Sequence, residues 1–141
     1  MEYYDVVFEG VAASDIDRLL KAEMNMSDIN AVNSHLYDRE KGDTAYCDSL
    51  QLGGFFSYAN TGTILAGTLF LEKKYENVLI LLSSDEDNVE VSLNISTDQL
   101  NISKNDMLYS FLKRIFKAYR LKCIYICDEY GMKENAVFRI K

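Results

Sequence analysis

Apolar and polar residues alternate in several stretches of the chain, a pattern typical of strands with one buried face. The plainest stretch is residues 89–95, in which Val89, Val91, Leu93 and Ile95 alternate with polar side chains. Similar but less regular patterns predict further strands over residues 3–9, 46–52, 55–59, 63–72, 78–82, 121–127 and 136–140. Short polar turns separate most of these segments, so neighbouring strands are expected to pair in antiparallel fashion.

The two faces of the first predicted strand differ in chemistry. Tyr4, Val6 and Phe8 share one face, whereas the carboxylates Asp5 and Glu9 lie on the other with Tyr3 and Val7. The alternation therefore predicts a sheet with one face in the core and one face in water.

Glycine and turn residues interrupt the pattern at defined points. Gly10 is predicted to end the first strand, and Gly67 indicates a bulge or a close approach of another backbone. Residues 60–62 and 83–88 are predicted to be turns between strands.

Helical periodicity occurs twice. The stronger case follows a capping pattern at residues 103–106, and its apolar stripe consists of Leu108, Phe111, Leu112, Ile115 and Tyr119. The other is a helix over residues 15–25, which begins beside Ser14 in a second capping pattern. Residues 27–36 fit either a short helix or a loop.

The order of these elements predicts an α+β fold. We expect a largely antiparallel sheet of about six or seven strands with two main helices packed on it. The length of 141 residues is typical of one domain, and no proline-rich linker divides the chain, which contains no proline. Residues 1–141 are therefore predicted to form a single globular domain.

The charge is acidic and unevenly distributed. The formal net charge is −7, with residues 1–72 near −8 and residues 73–141 near +1 (12 acids and 4 bases, then 10 acids and 11 bases). Nucleic acid is disfavoured as a partner because its binding begins with neutralisation of phosphates. The basic residues between 113 and 122 are interpreted as a solvated helix face. A basic protein is the natural complement of an acidic surface.

Recognisable catalytic or metal-binding patterns are absent from the sequence. His35 is the single histidine, and no nucleophile motif accompanies it. Cys123 and Cys127 would lie about 13 Å apart on one strand, too far to share a metal. Together with Cys47 they are expected to be reduced thiols. We therefore predict no catalytic residues, no metal and no cofactor.

The sequence also bears on localisation. The start of the chain has no signal-peptide pattern, and the most apolar segment, residues 78–82, is far too short for a membrane helix. The expectation is a cytoplasmic protein without a membrane partner.

In size, acidity and tyrosine content the chain resembles bacterial toxin-immunity proteins, including those of contact-dependent growth inhibition systems. The resemblance implies a non-catalytic protein that binds a cognate toxin domain, often a basic nuclease, and blocks its active site or the approach of its substrate. Acidic side chains and an aromatic anchor are then the candidate contacts. The candidate residues are Asp85, Glu86, Asp87, Glu90, Asp38, Glu40, Asp43 and Tyr46.

Two other functions remain open at the level of sequence. One is a small-molecule-binding or enzymatic α+β domain, with residues 53–56 and tyrosines lining a pocket. The other is an assembly subunit with an exposed strand edge that pairs with a partner or with a second copy. The oligomeric state is not indicated by the sequence.

Overall fold

The alternating segments build an antiparallel sheet, which has nine strands among the described residues. The structure is a computed structural model that describes residues 2–85, 88–129 and 131–141. The strands are β1 (Tyr3–Ala12), β2 (Ser27–Ile29), β3 (His35–Asp38), β4 (Gly42–Ala45), β5 (Thr61–Phe70), β6 (Lys74–Asp85), β7 (Asn88–Ser96), β8 (Cys123–Asp128) and β9 (Phe138–Ile140).

The strand order is β4-β3-β5-β6-β7-β1-β8-β9, and β2 pairs with β5 beside β3. The prediction of an α+β fold with a largely antiparallel sheet is confirmed, but six or seven strands was too low a number. The missed strands are short: β2, β3 and β4 have three or four residues each. Such strands show too little alternation to be recognised, so the sequence of residues 27–36 fits a short helix and a loop equally well.

The helical segments lie between the strands. They are a 3-10 turn (Ala13–Asp15), a π-helix (Arg18–Glu23), a 3-10 turn (Ala31–Asn33), α1 (Leu52–Phe55), α2 (Asp106–Ala118) and a 3-10 turn (Lys133–Asn135). Within the described ranges, no helix is long and apolar enough to cross a membrane.

Helix α2 forms where the apolar stripe predicts it. Leu108, Leu112 and Ile115 are fully buried against the sheet. The cap differs from the predicted one by two positions, because the Asn105 side chain, and not that of Ser103, accepts the hydrogen bond from the Leu108 N–H (3.1 Å).

The helix predicted over residues 15–25 is not a regular α-helix. The Met24 N–H bonds to the Leu19 carbonyl five residues earlier (2.9 Å), which widens the segment into a π-helix. Leu19 and Leu20 are nonetheless fully buried, so the apolar residues of this segment pack in the core as the spacing predicts. The predicted Ser14 cap does not form. Ser14 lies inside the 3-10 turn, and the residue before that turn, Ala12, makes no side-chain cap bond.

The strands predicted over residues 46–52 and 55–59 are wrong. These residues form a connection that contains α1, and Phe56 is buried immediately after it. The Asp17 carboxylate stabilises the start of α1 by accepting hydrogen bonds from the N–H groups of Leu52 (3.0 Å) and Gly53 (2.9 Å). Since that cap comes from 35 residues away, local sequence gave no sign of it.

Two glycines explain irregular features of the sheet. Gly10 does not end β1: it adopts a positive φ of +83° where the pairing with β7 shifts register between Phe8 and Val11, and the strand continues to Ala12. This is a β-bulge, and glycine tolerates its backbone conformation. The close approach predicted at Gly67 is confirmed, because a Cβ there would lie 2.7 Å from the Asp28 carbonyl oxygen.

The predicted turns are shorter than expected. Strand β5 already begins at Thr61, inside the turn predicted over residues 60–62. Strand β6 extends to Asp85 and β7 begins at Asn88, so most of residues 83–88 belong to paired strands. Glu86 and Asp87 lie outside the described residues.

Most of the hydrophobic core lies on one face of the sheet. Alternate strand residues such as Phe8, Ile80 and Leu93 are fully buried, and they join one cluster with the apolar side chains of the π-helix, α1 and α2. The core thus consists of one sheet face and the helices that cover it. On the other face the described residues form no such layer, although the 3-10 turn Lys133–Asn135 packs near β8, where Lys133 contacts Glu9 and the Tyr125 ring.

Truncation of the α2 stripe should destabilise the protein. We expect Leu112→Ala to lower the free energy of unfolding by about 2–5 kcal/mol, because it leaves a cavity under a fully buried position. Met107→Ala on the same helix should change it by less than about 0.5 kcal/mol, since Met107 is 70% exposed. Urea denaturation measures both, and equal losses would contradict the assigned helix face.

The Asp17 cap should make stability depend on pH. Burial by itself raises the pKa of Asp17, but hydrogen bonds from the Gly53 N–H, the Lys21 ammonium and the Leu52 N–H outweigh it, so the pKa lies below the ordinary 3.8. A lowered folded-state pKa stabilises the fold above pH 3.8, and this contribution is lost as the pH falls through the folded-state value.

We expect Asp17→Asn to lower the free energy of unfolding at pH 7 by about 1–2 kcal/mol, because charge-assisted hydrogen bonds are lost. The difference from the unsubstituted protein should shrink below pH 3.8, as measured by urea denaturation across pH. Asp15→Asn is the matched control: its carboxylate has only an ion pair with exposed Arg18 at 3.5 Å, so little change is expected at either pH.

Candidate functional site

The sheet face away from α1 and α2 is termed the open face. Strand pairing places opposite residues side by side, so the register aligns this face into rows. One row consists of Asp43, Tyr37, Thr61, Ser83 and Glu90. The next row consists of Ala45, His35, Thr63, Leu81, Ser92, Val7, Tyr125 and Arg139.

A groove of about 460 Å³ crosses the middle of the open face. Thr63, Leu81 and Ser92 lie next to one another along its centre, and Tyr37 on β3 and Tyr125 on β8 stand towards its two sides. Leu81 is an apolar side chain that remains 42% exposed on a strand in the middle of the sheet. The groove therefore has one exposed apolar side chain, Leu81, between hydroxyl side chains at its centre, and a polar and aromatic margin.

Three carboxylates line this groove: Asp5, Asp43 and Glu90. Asp5 accepts a hydrogen bond from the Asn94 amide (3.0 Å), which also donates to Glu129 (3.1 Å). The amide holds two carboxylates close to each other, which concentrates negative charge at one end of the face.

A second acidic group lies beside the bulge in β1. Glu9 accepts a hydrogen bond from the Lys133 ammonium (2.7 Å), and Glu90 lies near both. Partial desolvation raises the pKa of the Glu90 carboxyl, and the neighbouring negative charge of Glu9 raises it further. Burial, with help from Glu90 and Glu9, raises the pKa of Tyr125 to about 12, so at neutral pH its hydroxyl is protonated and can donate a hydrogen bond.

The acidic residues predicted from sequence fall into three groups. Asp43, Asp85 and Glu90 are exposed on the open face, on three different strands. Glu86 and Asp87 lie outside the described residues. Asp38 and Glu40 lie at the turn between β3 and β4, at the margin of the face.

Asp38 has a structural role in that turn. Its Oδ1 accepts hydrogen bonds from the N–H groups of Glu40 (2.8 Å) and Lys41 (3.0 Å), and these bonds hold the pKa of the Asp38 carboxyl below its usual value. The carboxylate thus fixes the shape of the β3–β4 hairpin, which carries Tyr37 and Asp43.

Tyr46, the predicted aromatic contact, is only 6% exposed and packs in the core. Burial, together with the nearby carboxylate of Asp48, raises the pKa of Tyr46 to about 12. Its ring is therefore not presented at the surface in this structure. Tyr37, which is 51% exposed, and the half-buried Tyr125 hold the aromatic positions on the open face.

Sequence reasoning missed Asp5, Glu9, Tyr37 and Tyr125 as site residues. For Asp5 and Glu9 a signal existed, since alternation already placed them on the face opposite Val6. For Tyr37 it did not, because β3 is too short to show alternation. Tyr125 lay in a predicted strand whose face could not be assigned without the register.

The side of the molecule that carries α2 has the opposite charge. Its exposed basic side chains are Lys113, Arg114, Lys117 and Arg120. Arg114 is partly compensated by Glu23 at 3.1 Å. These bases give the outer side of α2 exposed positive charge, whereas the open face carries the exposed carboxylates Asp43, Asp85 and Glu90.

The candidate catalytic and metal-binding groups are not assembled into a site among the described residues. The exposed His35 ring donates from Nε2 to the Val32 carbonyl (2.9 Å), and its Nδ1 lies 4.0 Å from Asp43. Cys47, Cys123 and Cys127 are free thiols, the last two buried. In the part of the chain that the structure describes, no three potential ligands lie close enough to hold a metal.

Comparison with known proteins gives three findings. A search of curated proteins found no match to this sequence. The fold is similar to a chain in the crystal structure of the toxic C-terminal tip of CdiA from Pseudomonas aeruginosa in complex with immune protein, with a TM-score of 0.71 and 19% identity over 98% of this chain and 94% of that one. The family model of the PABL017 Cdi1I immunity protein matches residues 2–131, and the chain therefore belongs to the Cdi1I immunity protein family.

Proposed function

We propose that this chain binds and neutralises the toxin domain of a cognate CdiA-type protein. The observation that carries the proposal is the open face, a sheet surface on which the described residues form no layer like the helical one on the other side, and whose groove is lined by carboxylates. Family membership and the similarity to a chain of a toxin–immune protein complex support the same function.

Neutralisation by binding alone accounts for the surface chemistry. Asp43 and Asp85 on the open face are exposed strand residues in contact with water, an environment that suits electrostatic complementarity more than proton transfer. The family name describes immunity, and immunity requires only that the toxin be held inactive. We therefore infer an inhibitor that acts by covering a functional surface of the toxin, without chemistry of its own.

The partner is expected to be basic. The net charge of −7 and the carboxylates on the open face favour a toxin domain with a positive surface. A toxin that acts on nucleic acid would have such a surface, because it must neutralise phosphates to bind its substrate. An acidic inhibitor would then compete for the surface that the substrate needs.

The cytoplasm is the proposed site of action. Three free thiols, with Cys47 exposed, are consistent with a reducing compartment. A toxin that attacks nucleic acid or another intracellular target would be met in that compartment.

Binding should be tested with the purified chain and the C-terminal toxin domain encoded next to it. We expect a one-to-one complex, and protection of cells that express the toxin together with this chain. The association rate constant should fall about tenfold between 50 and 500 mM NaCl, because salt screens the steering field, whereas the dissociation rate should change less. Absence of a complex at low salt would refute the proposed function.

Charge reversal should show which acidic groups contribute to encounter. Asp85→Lys on the open face is expected to slow association severalfold at low salt, and the effect should vanish at high salt. Asp98→Lys is the matched control, an exposed acid in the turn after β7. Stopped-flow or surface-binding kinetics measure both rates, and equal slowing by the two substitutions would indicate an effect of net charge alone.

A further inference from the structure

We propose that the groove between Tyr37 and Tyr125 is the docking site for a convex, lysine- or arginine-bearing segment of the toxin. The inference rests on the proposed function and deepens it by locating the contact and naming its chemistry. Four features of the described residues support it: the shape of the groove, its charge, its aromatic margin and the charge of the opposite side.

The groove is built into the rigid part of the fold. Its centre consists of residues on β5, β6 and β7, which pair with one another over most of their length. Leu81 and Ser92 therefore keep fixed positions. A site on paired strands can receive a partner with little loss of conformational freedom, which favours affinity.

The charge of the groove selects a cationic partner. Asp5, Asp43 and Glu90 line it, and none of them forms an ion pair with a described lysine or arginine. Two described bases lie near the β8 end of the groove: Lys133 pairs with Glu9 at 2.7 Å, and Arg139 lies beside Tyr125 in the strand pairing. An incoming ammonium or guanidinium group would thus meet carboxylates that form no ion pair with a described lysine or arginine, although the His35 ring lies 4.0 Å from Asp43.

The aromatic residues supply the remaining part of such a site. Tyr37 and Tyr125 present ring surface and hydroxyl groups at opposite sides of the groove. Cations pack favourably on aromatic rings, and tyrosines are enriched among the residues that dominate binding energy. Within the chain itself, the Lys133 ammonium already lies 5.9 Å from the centre of the Tyr125 ring.

The opposite side of the molecule directs the partner to the groove. The exposed bases of α2, including Lys113 and Lys117, would repel a basic toxin. A toxin that approaches in the field of the whole chain is therefore turned towards the acidic open face. The groove holds one segment, while the remaining surface of the open face is available for the wider contact that a stable protein interface requires.

The location can be tested by labelling a thiol introduced into the groove, with the native Cys123 and Cys127 left in place because both are buried. Ser83→Cys places a thiol on β6 between Thr61 and Glu90, in a Cys47→Ser background that removes the exposed native thiol. The saturated complex with the neighbouring toxin domain is then treated with a maleimide, and the rate of alkylation is compared with that of the free protein.

We expect the toxin to slow alkylation at Ser83→Cys at least tenfold, and a bulky maleimide attached beforehand to weaken binding at least tenfold. Asp98→Cys in the same background is the control, and its alkylation rate should be unchanged by the toxin. Unaltered alkylation and intact binding of the labelled Ser83→Cys protein would overturn the inference.

The chemistry of the site is tested by the double substitution Asp43→Asn and Glu90→Gln, which removes charge with little change of shape. Its Kd for the toxin should rise at least tenfold, whereas the control Glu76→Gln should bind within about twofold of the unsubstituted chain. Thermal unfolding of each variant verifies that the fold is retained. Equal binding by all three would overturn the cationic-segment inference.

Different results would contradict the toxin-binding function and the groove as the docking site. If the unsubstituted chain does not bind the toxin, the proposed function is wrong. If it binds while the groove variants behave like their controls, the function stands and the toxin docks elsewhere on the chain.

Discussion

The register of the antiparallel strands is the constraint on which the rest of the structure depends. Each long strand alternates between an apolar and a polar set, and a slip of one residue would exchange the two faces. The pairing of β6 with β7 keeps Ile80 opposite Leu93 and Leu81 opposite Ser92. Because the apolar set is covered by α2 and the π-helix, the same register that closes the core also fixes the composition of the open face. Folding and the proposed binding surface therefore have a common origin.

The charge separation follows from this arrangement. The basic side chains of α2 lie on the faces of that helix that its apolar stripe leaves to solvent, and the helix covers the core side of the sheet. The carboxylates Asp5 and Glu90 come from the paired strands β1 and β7, and Asp43 on β4 lies at the other end of the groove, with β3, β5 and β6 between. A chain with a modest net charge of −7 thereby gains a face with a stronger local field. Such a field acts on the encounter with a charged partner more than on the stability of the fold.

The sequence predicted the parts of this structure that rest on local periodicity. The long strands, α2 and the close approach at Gly67 each have a signal within a few residues of themselves. The parts that failed depend on distant partners: α1 is capped by Asp17, and β2 and β3 exist because the edge of β5 is available to them. For the candidate site, the sequence named Asp43, Asp85 and Glu90 by charge, and the structure places these three on the open face; it named Tyr46 as the aromatic contact, and that ring is buried. Tyr37 and Tyr125 became recognisable only once the register had assigned them to a face.

Because one sheet face forms the core and the other faces solvent, proteins of this fold can differ in the partner they bind. The similar chain in the CdiA complex shares 19% of its residues with this one, yet the folds agree at a TM-score of 0.71. A core requires apolar side chains of suitable volume at alternate positions, and many sequences meet that requirement. Residues such as Ser83 and Glu90 contribute little to the core, so they can change without loss of the fold. Specificity needs attractive contacts with one partner and unfavourable contacts with others. The open face is the part of this molecule where both can be varied at little cost in stability.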